Sequence, residues 1–260
     1  MEYQKAIAIL LTTLLLVTGF LSACEPSLET KVPGPIVDVN LEVTVREEIN
    51  KPRGAILAAD LEGLTILVAG ERNIADLGGL EHCTNLTTLL LFKNRVSDIS
   101  SLASLTNLTI LDLSNNQISN ISSLALLTNL TELGLSFNQI SDISSLASLT
   151  NLTSLGLSRN QIKDISSLAL LTNLTTLLLF NIRVSDISPL ASLTKLTALD
   201  IESNQISDIS SLVSLTNMTS IDLTDNMVSN VSPLSSLTQL KSAGLSYNRI
   251  SDISPLASLT

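Results

Sequence analysis

Hydrophobic and polar positions recur along this chain with one fixed step. Leu86, Leu108, Leu130, Leu152, Leu174, Leu196, Met218 and Leu240 lie 22 residues apart. Within the copy that begins at Leu108, the apolar positions are Leu108, Leu111, Leu113, Ile118, Ile121, Leu124 and Leu127. Leu111 and Leu113 alternate with Ile110, Asp112 and Ser114, the two-residue period of a half-buried strand. Asn116 and Gln117 then turn the chain, and the remaining apolar residues bring it back across the other side of a coil. One such coil encloses no core. Stacked coils do, with strands pairing at ~4.8 Å per repeat. The pattern predicts an α/β solenoid with a parallel sheet, about nine repeats over residues 64–260, the first divergent.

Two polar columns run through the repeat. Asn94, Asn116, Asn138, Asn160, Asn204, Asn226 and Asn248 share one position. An amide stacked there bonds backbone groups of adjacent coils where no sheet partner exists. Arg72 occupies the column in the first repeat, and Ile182 interrupts it with Asn181 one place early. Leaving those backbone groups unmet would cost about 1–3 kcal/mol unless water or Asn181 substitutes. The second column holds Asp76, Asp98, Asp142, Asp164, Asp186, Asp208 and Asp252, with Asn120 and Asn230 in the same place. Calcium would need further oxygen ligands that the repeat does not supply. Interchange of Asp with Asn instead fits caps on backbone amides at turns. Eight Asn-x-Ser/Thr triplets recur because the repeat recurs and carry no functional weight.

The motif "LTILDLSNNQI" resembles the leucine-rich repeat, and "SDISSLASLTNL" is similar to the 22-residue form found in internalins and related bacterial surface proteins. The resemblance implies a sheet on the concave face, short 3-10 or irregular turns on the convex face, a helical N-terminal cap, and protein binding on the concave face. "NLEVTVREEINKPRGAILAADLEGLT" resembles the N-terminal cap of such repeats. Its spacing predicts a helix capped by Asp38, with Leu41, Val45 and Ile49 on one face and a stop at Pro52 and Gly54. Residues 36–63 form the expected cap. The chain stops at "ISPLASLT" with no capping element, which reads as a fragment of a longer protein or, failing that, an end covered by another chain.

The N-terminal segment carries an address. After Lys5 an apolar run over residues 6–21 is shorter than the ~20 residues a spanning helix needs. It ends in "LSAC", which resembles the lipobox of bacterial lipoprotein signals. The resemblance implies a signal peptide over residues 1–23 and a lipid on Cys24, then a Pro-rich tether over residues 24–35. That places the protein in the bacterial cell envelope, facing the extracytoplasmic side. Glu25 follows the cysteine and does not indicate inner-membrane retention.

Composition narrows the function. The 260 residues are 45% hydrophobic but only 2% aromatic, and Asp and Glu outnumber Lys and Arg 24 to 14, for a net charge of −10. Phosphate backbones need a basic footprint, so nucleic acid is not expected. With one His in the chain, no metal-ligand cluster and no glycine-rich phosphate loop, an enzyme, a metal site and a cofactor are not expected. Cys83 stands in the column of Leu105, Leu127 and Leu149, so it reads as a buried thiol rather than a nucleophile paired with His82.

Candidate contacts come from departures within the strand. Several copies put small or polar residues on the outward positions, such as Gly134 and Ser136. Leu90 with Phe92, and Leu178 with Phe180, differ, and the two pairs lie four repeats apart, about 19 Å along the sheet. Beyond the second pair come Asp200, Glu202, Asp222 and Asp225. Exposed apolar anchors beside a carboxylate cluster fit an interface with a protein that has a basic patch. The expected function is an envelope-anchored scaffold for a protein partner. The alternative is a passive spacer, or a piece of a larger surface protein.

Overall fold

The computed structural model describes residues 36–259, so the expected signal, lipidated Cys24 and tether lie outside the described residues. Among the described residues two helices come first, α1 (Val39–Glu48) and α2 (Ala58–Glu62). Nine strands of three residues follow, from β1 (Ile66–Val68) to β9 (Ser242–Gly244), paired in sequence order as one parallel sheet. A 3-10 turn follows each strand on the return path, as in Ser100–Ser104 and Ser122–Leu126. The register advances by one repeat per strand: Leu89, Leu111, Leu133, Leu155, Leu177, Leu199 and Ile221 form one continuous row, ending at Ala243.

The core lies between the sheet and the 3-10 turns. Leu108, Leu113, Ile118, Leu124 and Leu127 are each 0% exposed, and the same columns are buried in the neighbouring coils. Cys83 is also fully buried in its leucine column. Burial, with the charge of Glu81 nearby, pushes its thiol up to about 12. In the ninth coil the row gives way to exposed residues, with Ile253 67% exposed.

The inner asparagine column does what its position requires. Asn116 Nδ2 donates to Leu91 O and Leu113 O, one carbonyl in each of two coils, and its Oδ1 accepts from Val96 N. Asn138 and Asn160 repeat the arrangement one coil on each time. The turn residue is the one before this asparagine: Asn115 has φ 57 and Phe137 has φ 59, where the sequence reading put the turn at Asn116 and Gln117.

The coil with Ile182 is repaired from its neighbour. Asn204 Oδ1 accepts from both Ile182 N and Val184 N, at 3.2 and 3.1 Å. The acceptor is Asn204, not Asn181. Asn94 does the same for the Arg72 coil, accepting from Arg72 N and Ile74 N. In both coils a second left-handed residue appears, Asn73 and Arg183. The repair is incomplete, because no described group accepts from the Ile162 amide, the donor that an asparagine at 182 would meet.

Asn-x-Thr recurs for a structural reason. Asn107 Nδ2 donates to Thr84 O, and Asn129, Asn151 and Asn173 repeat this bond coil by coil. The threonine two places later donates to its counterpart one coil earlier, as Thr109 Oγ1 does to Thr87 O. Both ladders tie coil to coil on the outside of the stack.

Helix α1 packs on the first coil through Leu41 and Val45, both 0% exposed. Asp38 caps it, Oδ1 accepting from Asn40 N and Leu41 N. The helix stops earlier than Pro52. Asn50 adopts φ 53, with Lys51 N bonded to Arg46 O and Asn50 N to Glu47 O, a left-handed termination.

Candidate binding surface

Side chains alternate across each strand, so the residue between two buried leucines faces away from the core. On the strands from β2 (Thr88–Leu90) to β8 (Ser220–Asp222) those residues are Leu90, Asp112, Gly134, Gly156, Leu178, Asp200 and Asp222. The two apolar pairs are not equivalent. Leu90, between Val68 and Asp112 in register, is only 5% exposed, against the expectation of a solvent-facing side chain. Phe92 lies over Gly70, whose missing β-carbon leaves the space its ring occupies. Leu178 and Phe180 are half-buried and keep an outward surface.

Phe180 has partners that the sequence reading missed. Its ring meets Phe137 edge to face, with centroids 5.8 Å apart. Phe137 belongs to the coil of β4 (Glu132–Gly134) and Phe180 to that of β6 (Thr176–Leu178), so the contact spans the intervening coil. There Ser158 is fully buried and its hydroxyl accepts from Phe180 N. Arg159 of the same coil sets its guanidinium 5.3 Å from the Phe137 centroid and 5.5 Å from that of Phe180. The usable signal was the left-handed turn column, which runs Lys93, Asn115, Phe137, Arg159, Asn181, Ser203, Asp225 and Tyr247. No other column of the repeat changes chemistry so freely.

The acidic group sits on the next coils. Asp200 of β7 (Ala198–Asp200) and Asp222 of β8 (Ser220–Asp222) are register partners on adjacent strands. Asp200 Oδ1 accepts from Glu202 N and Asp222 Oδ1 from Thr224 N. Asp222 leans over Gly244, its carboxylate filling the place a β-carbon would need. Burial pushes Asp200 up to about 6; the Glu202 amide opposes this, and the charges of Asp222 and Glu202 add to it. Asp225 is exposed and accepts from Ser203 Oγ.

The regular aspartate column is a set of turn caps. Asp98, Asn120, Asp142, Asp164, Asp186 and Asp208 each accept from the serine amide two residues on, at 2.8–2.9 Å. These amides hold Asp98, Asp142 and Asp186 below the ordinary carboxylate value.

Residues 84–126, 128–170, 172–214 and 194–236 match the family model described as Leucine Rich repeats (2 copies). No curated protein sequence matches the chain. Among solved structures, an internalin (inlF) from Listeria monocytogenes is 34% identical, with 88% of this chain and 76% of that one covered at a TM-score of 0.76. Internalin C2 of the same organism is 33% identical, with coverages of 89% and 96% and a TM-score of 0.66. A leucine-rich repeat protein of Leptospira interrogans, 24% identical over 74% of this chain and 51% of its own, shares the fold at a TM-score of 0.70. With more than half of its length matched and both internalins superposing on its stacked coils, the chain belongs to the leucine-rich repeat family in its internalin-like form.

Proposed function

We propose that this protein is an envelope-anchored, non-enzymatic scaffold that holds a protein partner on the solvent face of its sheet. One observation carries the reading. The core columns and polar ladders repeat with little change, whereas the outward and turn positions of β4 to β8 vary in size and charge. A spacer needs only the repeated part. Leu178, Phe180, Asp200, Glu202, Asp222 and Asp225 are the proposed contacts, with Phe92 and the more buried Leu90 as a lesser pair. The acidic members favour a partner with a basic patch. Anchoring rests on the lipobox-like "LSAC" ending at Cys24. Among the described residues no helix is long and apolar enough to cross a membrane.

Position-specific photocrosslinking tests the face. A photoreactive residue at Phe180 is expected to capture a partner that the same residue at Leu126, on the 3-10 side, does not. Capture from Leu126 alone would defeat the reading. Cys24→Ser is expected to move the protein out of the membrane fraction or leave it unprocessed, and normal processing and fractionation would remove the anchor.

A further inference from the structure

From β4 to β8 the sheet face follows one order: Phe137, Arg159, then Leu178 with Phe180, then Asp200 and Asp222. On the first coils Lys93 pairs with Glu71 at 2.6 Å and Arg72 with Glu47 at 3.1 Å. Arg159, Asp200 and Asp222 have no such ion pair among the described residues. Among the described residues no carboxylate lies within ion-pair distance of Arg159, and no cation within that distance of Asp200 or Asp222. The guanidinium is held over two rings and keeps its N–H edges for another acceptor.

Backbone conformation points the same way. Phe137 and Arg159 adopt φ 59 and 52, a region that disfavours bulky side chains by roughly 1–2 kcal/mol relative to right-handed backbone. Asn115 and Ser203 fill the same position in other coils, so the turn itself asks for neither a phenyl ring nor a guanidinium. Counted across the strands alone, the coil of Arg159 lies two from that of Asp200 and three from that of Asp222, about 10 and 14 Å at sheet spacing. In an extended segment, side chains four residues apart on one face are separated by about 13 Å.

We propose that this face takes an extended protein segment laid across the strands, with a carboxylate on Arg159, an apolar side chain over Leu178 and Phe180, and a basic side chain on Asp200 and Asp222. The inference rests on the protein-binding reading above and adds the charge order of the partner. A purely basic partner would leave Arg159 facing like charge. A purely acidic one would meet the aspartate pair.

Fluorescence anisotropy with synthetic probes tests it. The probes are labelled peptides of about nine residues on a Thr/Leu background, with Asp and Lys about four residues apart, and versions with Asn for Asp, Gln for Lys, or both. The peptide with both charges is expected to bind about tenfold or more tighter than the doubly neutral one, and to weaken as salt rises. Arg159→Gln should erase the preference for Asp over Asn and keep that for Lys over Gln. Asp200→Asn with Asp222→Asn should do the reverse. Equal affinity for all four peptides, no saturable binding of any, or an Arg159→Gln variant that keeps the Asp preference would overturn the inference. Circular dichroism checks that each variant is folded. If Phe180 still crosslinks a partner while the peptides show no charge preference, the scaffold reading stands and the charge order falls.

Discussion

Asp200 is the residue at which the face costs the fold something. An ordinary aspartate releases its proton near 3.8, whereas here burial and neighbouring carboxylates push the group up to about 6. Below pH 3.8 the carboxyl is protonated in both folded and unfolded chain and contributes nothing. As pH rises toward 6, the unfolded chain loses the proton first, so this group makes stability fall, and above 6 the penalty is complete. A shift of about two units corresponds to a ceiling of about 3 kcal/mol, and solvent screening of a partly exposed group reduces it to about 1 kcal/mol. Asp200→Asn is therefore expected to raise the urea midpoint at pH 7.5 and to leave it nearly unchanged at pH 3.5. An equal gain at both pH values would show that packing, not charge, limits this position. A carboxylate retained where its amide would be more stable is the kind of local cost that functional sites carry.

At the scale of the coil, the asparagine ladder is the element to test. Asn138 serves one amide, Ile118 N, and the carbonyls of Leu113, Leu135 and, at 3.4 Å, Ser136. Asn204 serves the corresponding carbonyls, among them Leu179 O and Ile201 O, but two amides, Ile182 N as well as Val184 N. Asn138→Ala should cost about 2–3 kcal/mol in urea denaturation, and Asn204→Ala about 1 kcal/mol more. Equal losses would mean that the second amide finds water instead. The interruption at Ile182 was legible in the sequence as a missing rung; its rescue was not. A repeat predicts which groups need partners, since every coil poses the same requirement, but not which neighbour bends to meet it. The same limit applied to the site. The outward Leu and Phe pairs and the acidic row could be read from strand alternation. The Phe137–Phe180 contact could not, because it crosses a whole coil. Leu90 was misjudged as exposed for a related reason: alternation gives the direction of a side chain, not how much its neighbours cover.

Across the described stack, apart from side-chain contacts such as Phe137–Phe180, each coil packs on the coils before and after it, so stability is close to a sum of local interfaces. The sum is most vulnerable at an end, where a coil has one neighbour. At the N-terminal end the missing neighbour is α1, and Asp38 joins it to the stack with both oxygens: Oδ1 caps the helix, while Oδ2 accepts from Ala75 N and Asp76 N of the first coil. Partial burial raises this carboxyl, but the amides of Ala75, Leu41, Asp76 and Asn40 outweigh it and hold the group below 3.8. A lowered value means that the stabilisation is fully present above 3.8 and is lost as pH falls through the folded value. Asp38→Ala should cost about 1–2 kcal/mol at neutral pH, and the difference should shrink as pH falls through the folded value and the wild-type carboxyl takes up its proton. The location of the loss is the sharper test. Hydrogen exchange should quicken at Leu41, Ala75 and through β1 and β2 (Thr88–Leu90), while β6 to β8 keep their protection, because no interface they make has changed. Uniform deprotection from β1 to β8 would show that the solenoid opens as one cooperative unit, and that helix α1 stabilises all of it rather than sealing one end.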